Sequence, residues 1–153
     1  MSLPIPAWPD PNTPQGVTFF GNATTIVAAW KAHKVSNSFA LGLLAQAEAE
    51  SGLNPNAKGD HVKGEPTAFG LHQWHGARIA AIKHATGIDI AALPPIASQI
   101  EAAWWELTNL PWVGMKAIVA QETAYGAAMQ ACALFERAGA LDAATRRGQM
   151  AER

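Results

Sequence analysis

The segment VSNSFALGLLAQAEAES, residues 35–51, is apolar on nearly every side of the helix it would form, and this constrains the fold more than any other feature. At about 100° per residue, Phe39, Leu43 and Ala47 fall on one side, with Leu41 and Leu44 opposite. A helix without a polar face must be surrounded, so the chain has to supply packing partners around it. Ser36 or Asn37 can cap its start and Gly52 can close it.

The rest of the chain offers those partners. With 153 residues there is room for one domain with a sizeable core. Apolar residues make up 49% of the chain and alanine crowds its second half, which favours a mostly helical fold. NATTIVAAWKAH reads as a helix capped by Asn22 or Thr24. Residues 53–70, with Asn54, Pro55 and Pro66 among glycines, are too polar and broken for a helix and suit a small β-hairpin or irregular lobe.

Helical periodicity returns in HGARIAAIKHATG and again after Pro94-Pro95, where Ile96, Ile100, Ala103, Leu107 and Leu110 form one stripe. PWVGMKAIV suits a short helix with Pro111 near its first turn. Thr123 can cap AYGAAMQACALFER, and a last helix starts near Leu141 or Asp142. Trp104, Trp105 and Trp112 are expected in the core. Residues 1–16, with five prolines, read as an extended arm ahead of a domain over 17–153.

Charge and composition narrow the function classes. A net charge of −1 leaves no electrostatic footprint for nucleic acid or an anionic membrane. Arg146, Arg147 and Arg153 are expected on a solvated helix face. The single cysteine, Cys132, can form no internal disulfide, and its alanine-rich surroundings suit a small buried hydrophobe rather than a nucleophile. There is no run of ~20 apolar residues to span a membrane. The N-terminus has neither a basic n-region nor an apolar h-region, so delivery outside the cytoplasm is expected to depend on something other than a secretory signal.

The central helix carries two glutamates. Glu48 lies between Leu41 and Leu44, and Glu50 lies beside Ala47 in the last turn, where the chain breaks into the polar lobe. A carboxyl half embedded in hydrocarbon at a helix C-terminus is disfavoured as an anion by desolvation and by the helix dipole, and so holds its proton to higher pH. That is what a general acid needs. An ion pair with an arginine is the other role open to such a residue.

AEAESGLNPNAKGD followed by AFGLHQWHGAR resembles the phage-tail lysozyme group of the lysozyme and lytic-transglycosylase superfamily. Members share a glutamate-serine step leading to Asn-Pro, a Gly-Asp, and a Gly-Leu-x-Gln-Trp with an arginine soon after. QIEAAWWEL, ALFERAG and ATRRGQMA are similar to its C-terminal half, so the resemblance spans roughly residues 22–151. It implies a mainly α lysozyme-like fold of six to seven helices with a β-hairpin lobe after the catalytic helix. It also implies cleavage of the MurNAc-β-1,4-GlcNAc bond of peptidoglycan without a cofactor or metal. Glu50 falls on the catalytic acid and Gln73 on the groove-lining glutamine. His72 stands where many transglycosylases carry methionine, and Trp74 and Arg78 follow on the return from the lobe.

Asp60, ten residues beyond Glu50, is the candidate second carboxylate, with Glu65 in reserve and an Asx turn as its plainer role. An inverting pair needs carboxyls ~6.5–9.5 Å apart, and relatives that use one glutamate release an anhydro-sugar. Trp74 could stack on a sugar ring or fill the core. The resemblance implies glycan strands, and phage tail or tail-like particle proteins, as partners. It further implies a protein made in the bacterial cytoplasm that reaches the wall through a holin or in such a particle. Two rivals remain: a metal site of His61, His72, His75 and Asp60, whose spacing matches no zinc signature, and a non-catalytic glycan-binding or structural module.

Overall fold

The computed structural model describes residues 5–110, 114–136 and 141–153. Its helices are α1 (Pro14–Lys31), α2 (Asn37–Ser51), α3 (Gly76–Thr86), α4 (Ile96–Asn109), α5 (Met115–Val119), α6 (Ala124–Gln130) and α7 (Leu141–Ala151). A π-helical turn, Ala131–Phe135, continues α6, and a 3-10 turn, Ile90–Ala92, follows α3. Strands β1 (Lys58–Val62) and β2 (Glu65–Phe69) pair antiparallel in a hairpin between α2 and α3. The fold is the mainly helical, lysozyme-like α+β arrangement expected from the sequence.

The apolar-all-round helix is central, as its pattern requires. α2 packs on α1, α6 and α7, and Phe39, Ala40, Leu43, Ala45, Gln46 and Ala47 are all buried. Ser36 Oγ caps its start by accepting from Phe39 N at 3.0 Å. Gly52, in the left-handed region at φ 62°, ends it, and the buried Leu53 donates its N–H back to Ala47 O at 3.4 Å. α6 approaches so closely that a Cβ on Gly42 would stand 2.7 Å from Ala127 Cβ.

The stripe on α4 also holds: Ile100, Ala103 and Leu107 are buried, and Ile96 and Leu110 pack against them. Trp104 and Trp105 are half-buried against the same core, Trp104 stacking on His33 at 4.3 Å. Trp112 and Pro111 lie outside the described residues. Cys132 is buried, as its surroundings suggested.

Two local expectations are corrected. α1 begins at Pro14, capped by Thr13, whose Oγ1 accepts from Gly16 N at 3.0 Å; neither Asn22 nor Thr24 is a cap. Proline is at home in a first turn because its missing N–H has no helical partner there, so the proline run conceals a helix start. Residues before α1 also lie on the body of the protein. Trp8 and Phe20 meet edge to face, and Trp8 donates to Glu48 Oε1 at 3.0 Å, while Ile5 packs against the cluster of Ala45, Ala128, Met150 and Ala151. The second correction concerns the C-terminal arginines. Arg147 turns inward, and Arg153 reaches Glu48 and Pro6 O and lies over the Trp8 ring.

Candidate active site

Gln46 and Glu50 are one helical turn apart on α2 and so share a face, which is turned toward α6 and α7. The Gln46 amide is fully buried, and its Nε2 donates to Ala128 O at 2.7 Å. Its Oε1 accepts from Arg147 Nη1 at 2.8 Å. The other branch of the same guanidinium, Nη2, donates to Glu50 Oε1 at 2.6 Å. Glu50 Oε2 accepts nothing from the described residues and keeps accessible surface, its side chain being 24% exposed. One carboxyl oxygen is therefore held and the other is open.

A second polar pair lies behind the first. His72 Nδ1 meets Glu136 Oε1, with both side chains almost wholly buried. Glu136 is the first residue after the π-helical turn, whose wider winding shifts the helical phase of the residues after it. Burial raises the Glu50 pKa above the usual carboxylate range, and the Glu136 charge adds to the rise. The charge and hydrogen bond of Arg147, together with His72, pull the other way without cancelling it. The acid that the sequence places at the end of a greasy helix thus holds its proton more tightly than an ordinary glutamate, even with an arginine attached.

One glutamine, Gln99, ties the lobe to the body, and another, Gln73, braces the lobe internally. Gln99 on α4 donates to Pro55 O and Pro94 O, both at 2.8 Å, and accepts from Leu71 N at 2.8 Å. Gln73, in the left-handed region at φ 49°, donates to Gly70 O at 2.9 Å and Ala57 O at 3.3 Å. Its Oε1 lies against Gly59, where a Cβ would stand 2.4 Å away. No described residue donates to that oxygen, and it is left accessible. Beside the C-terminus of α2, a groove of about 510 Å³ runs past Gly52 and Asn54 to Phe19 and Asn22 of α1.

The family model for phage tail lysozyme matches residues 21–153, nearly the whole chain. The chain belongs to the phage tail lysozyme family. That bears out the resemblance read from the motifs and points to a lysozyme-like, peptidoglycan-lytic role. No curated protein and no solved structure matches the chain.

Within this family member the sequence candidates part company. Asp60 is exposed on β1 at φ 48° and bonds His75 Nε2 at 3.0 Å; the charges acting most on Glu50 are Glu136, Arg147 and His72. Glu65 is exposed across the hairpin end from Val62. Trp74 is fully buried and donates to Glu106 Oε1 at 2.7 Å, so it presents no ring face to a sugar. Arg78 grips the same Glu106 with two bonds of 2.7 and 2.8 Å. His72, buried against Glu136, faces the interior.

The side chains of the metal reading are not gathered either: His72 is interior, His61 is exposed on β1, and His75 holds Asp60. Among the described residues no three metal-ligating side chains cluster. No helix among them is long and apolar enough to cross a membrane. The residues that sequence reasoning missed are Gln46, Glu136 and Arg147. ALFERAG and ATRRGQMA contain the last two, but as motif matches without roles.

Proposed function

We propose that this chain cleaves the MurNAc-β-1,4-GlcNAc bond of peptidoglycan, with Glu50 as the general acid. The observation that carries the reading is a carboxyl group with one oxygen held by Arg147 and the other open, its pKa raised by burial and by Glu136. In glycoside cleavage such a group delivers a proton to the leaving oxygen as positive charge builds at the anomeric carbon. Gln73 supports the reading, because its free Oε1 is suited to accept from a sugar hydroxyl. Asp60, on the hairpin, remains our candidate for orienting water.

Family membership supports delivery as part of a phage tail or tail-like particle; release through a holin would make the protein an endolysin instead. The rival reading, a non-catalytic module, draws on the same Glu50–Arg147 bond, treating it as a tie between α2 and α7. Purified cell walls incubated with the protein separate the two. Cleavage is expected, with reducing ends by mass spectrometry if water attacks and 1,6-anhydro ends if the sugar's own hydroxyl does. Intact glycan with a bound, folded protein would establish the module.

A further inference from the structure

The geometry points to Arg147 as a positioning residue that assigns the two oxygens of Glu50 different tasks, an inference that rests on the acid role proposed for Glu50. Arg147 bridges two side chains of one helix face. Nη1 is on Gln46 Oε1 and Nη2 is on Glu50 Oε1. Gln46 is itself fastened to the backbone of α6 through Ala128 O, so the guanidinium has a rigid seat. A carboxylic acid has one carbonyl oxygen and one hydroxyl. A guanidinium has no acceptor, so the oxygen facing it is the one without the proton. Oε1 is that oxygen, and the proton is left on Oε2, the oxygen that faces outward. When Oε2 gives its proton to the glycosidic oxygen, the carboxylate that forms is already bonded to Arg147. The bond strengthens as charge develops, which is the differential stabilisation that catalysis requires.

The cost of this arrangement is that a cation beside an acid favours early loss of its proton. The fold opposes that with burial and with Glu136. The charged or titratable groups around Glu50 are Arg147 on α7, Glu136 and Cys132 at the π-helical turn, His72 before α3, and Arg78 on α3. Arg78 is committed to Glu106, and the Cys132 thiol is pushed up chiefly by burial, which keeps it neutral. The balance at Glu50 therefore rests on Arg147 and His72 against desolvation and Glu136.

The test uses the whole chain and two readouts: carboxyl carbon NMR titration of Glu50, assigned by its disappearance in Glu50→Gln, and wall cleavage as a function of pH. In Arg147→Met the Glu50 titration and the alkaline limb of the rate profile should both move to higher pH. kcat should fall by up to about 100-fold with KM held, the loss expected when a reacting group is misplaced. Arg147→Lys restores the charge without the two-pronged fork. It should bring the limb back toward wild type while kcat stays low, and it decides the matter if Arg147→Met does not fold. A folded Arg147→Met with the wild-type titration, limb and kcat overturns the inference, as does full kcat in Arg147→Lys. An active wild type with an inactive Glu50→Gln and those results overturns the inference alone; an inactive wild type overturns it together with the acid role.

Discussion

Among the three glutamate–arginine pairs of the described residues, Glu106–Arg78 and Glu50–Arg147 contrast in how much of the carboxylate they occupy. Glu106 has both oxygens occupied, one by Arg78 Nε and the other by Arg78 Nη2 and Trp74 Nε1, with its side chain 1% exposed. Glu50 has one oxygen occupied by one branch of Arg147 and is 24% exposed. In the first pair the carboxylate is saturated and sealed, so it holds α3 and the lobe return against α4. The second leaves one oxygen without a donor among the described residues and lies beside a like charge, Glu136, which is the feature on which the proposed acid role rests. A pair's function depends on the capacity it leaves unsatisfied, since two fork bonds and an indole consume the capacity on which proton transfer relies.

The sharpest way to break this comparison is to remove the saturated acid. Glu106→Ala leaves the buried Trp74 N–H without its acceptor and the half-buried Arg78 guanidinium unpaired, and should cost roughly 2–4 kcal/mol in urea unfolding. A loss below about 1 kcal/mol would mean that the seal is not structural. The next effect falls on the acid's poise. Glu136→Gln removes the charge that helps raise Glu50, so the Glu50 pKa should fall toward the usual range and the alkaline limb of wall cleavage should move to lower pH. A limb that stays in place would exclude Glu136 from the site's electrostatics.

Smaller still is the effect on stability. Because the native Glu50 pKa is raised, the folded chain binds this proton more tightly than the unfolded chain. Its stabilising contribution is full below the usual carboxylate range and is lost as pH rises through the raised native value. Thermal melts of Glu50→Gln and wild type should therefore diverge above that range in favour of the variant; a variant that melts lower at neutral pH would make Glu50 a net structural residue. The smallest effect on turnover is expected at Glu48, whose half-buried carboxylate meets Arg153 and Trp8 on the side of α2 away from Glu50. Glu48→Gln should leave turnover within a few-fold of wild type and cost about 1–2 kcal/mol, because the amide keeps an acceptor for both donors.

Local patterning carried most of the part of the fold that was legible in the sequence. The surrounded helix, its Gly52 end, the α4 stripe and the polar break that became a hairpin are each carried by neighbouring residues, so their periods and caps show directly. Glu50 was legible as a candidate because its place at the end of an apolar helix shows in neighbouring residues and matches the family motif. Its partners were not. Arg147 lies 97 residues away, and from sequence its helix face reads as solvated. Glu136 comes after a π-helical turn that shifts the phase a regular helix would give. Trp74 stands after a polar loop, where an aromatic can serve either a cleft or the core; only Glu106, 32 residues on, shows which. At the N-terminus, Pro14 read as part of an arm although a first-turn proline is compatible with a helix.

The most direct test of the acid assignment is the initial rate of cell-wall cleavage by Glu50→Gln relative to wild type at the pH of peak activity, with folding verified by the same melts. The amide keeps the shape of the side chain and can still accept from Arg147, but has no proton to donate to the leaving oxygen. A fall of about 100-fold or more in a folded protein is the expected result. A folded Glu50→Gln that cleaves walls at the wild-type rate would contradict it.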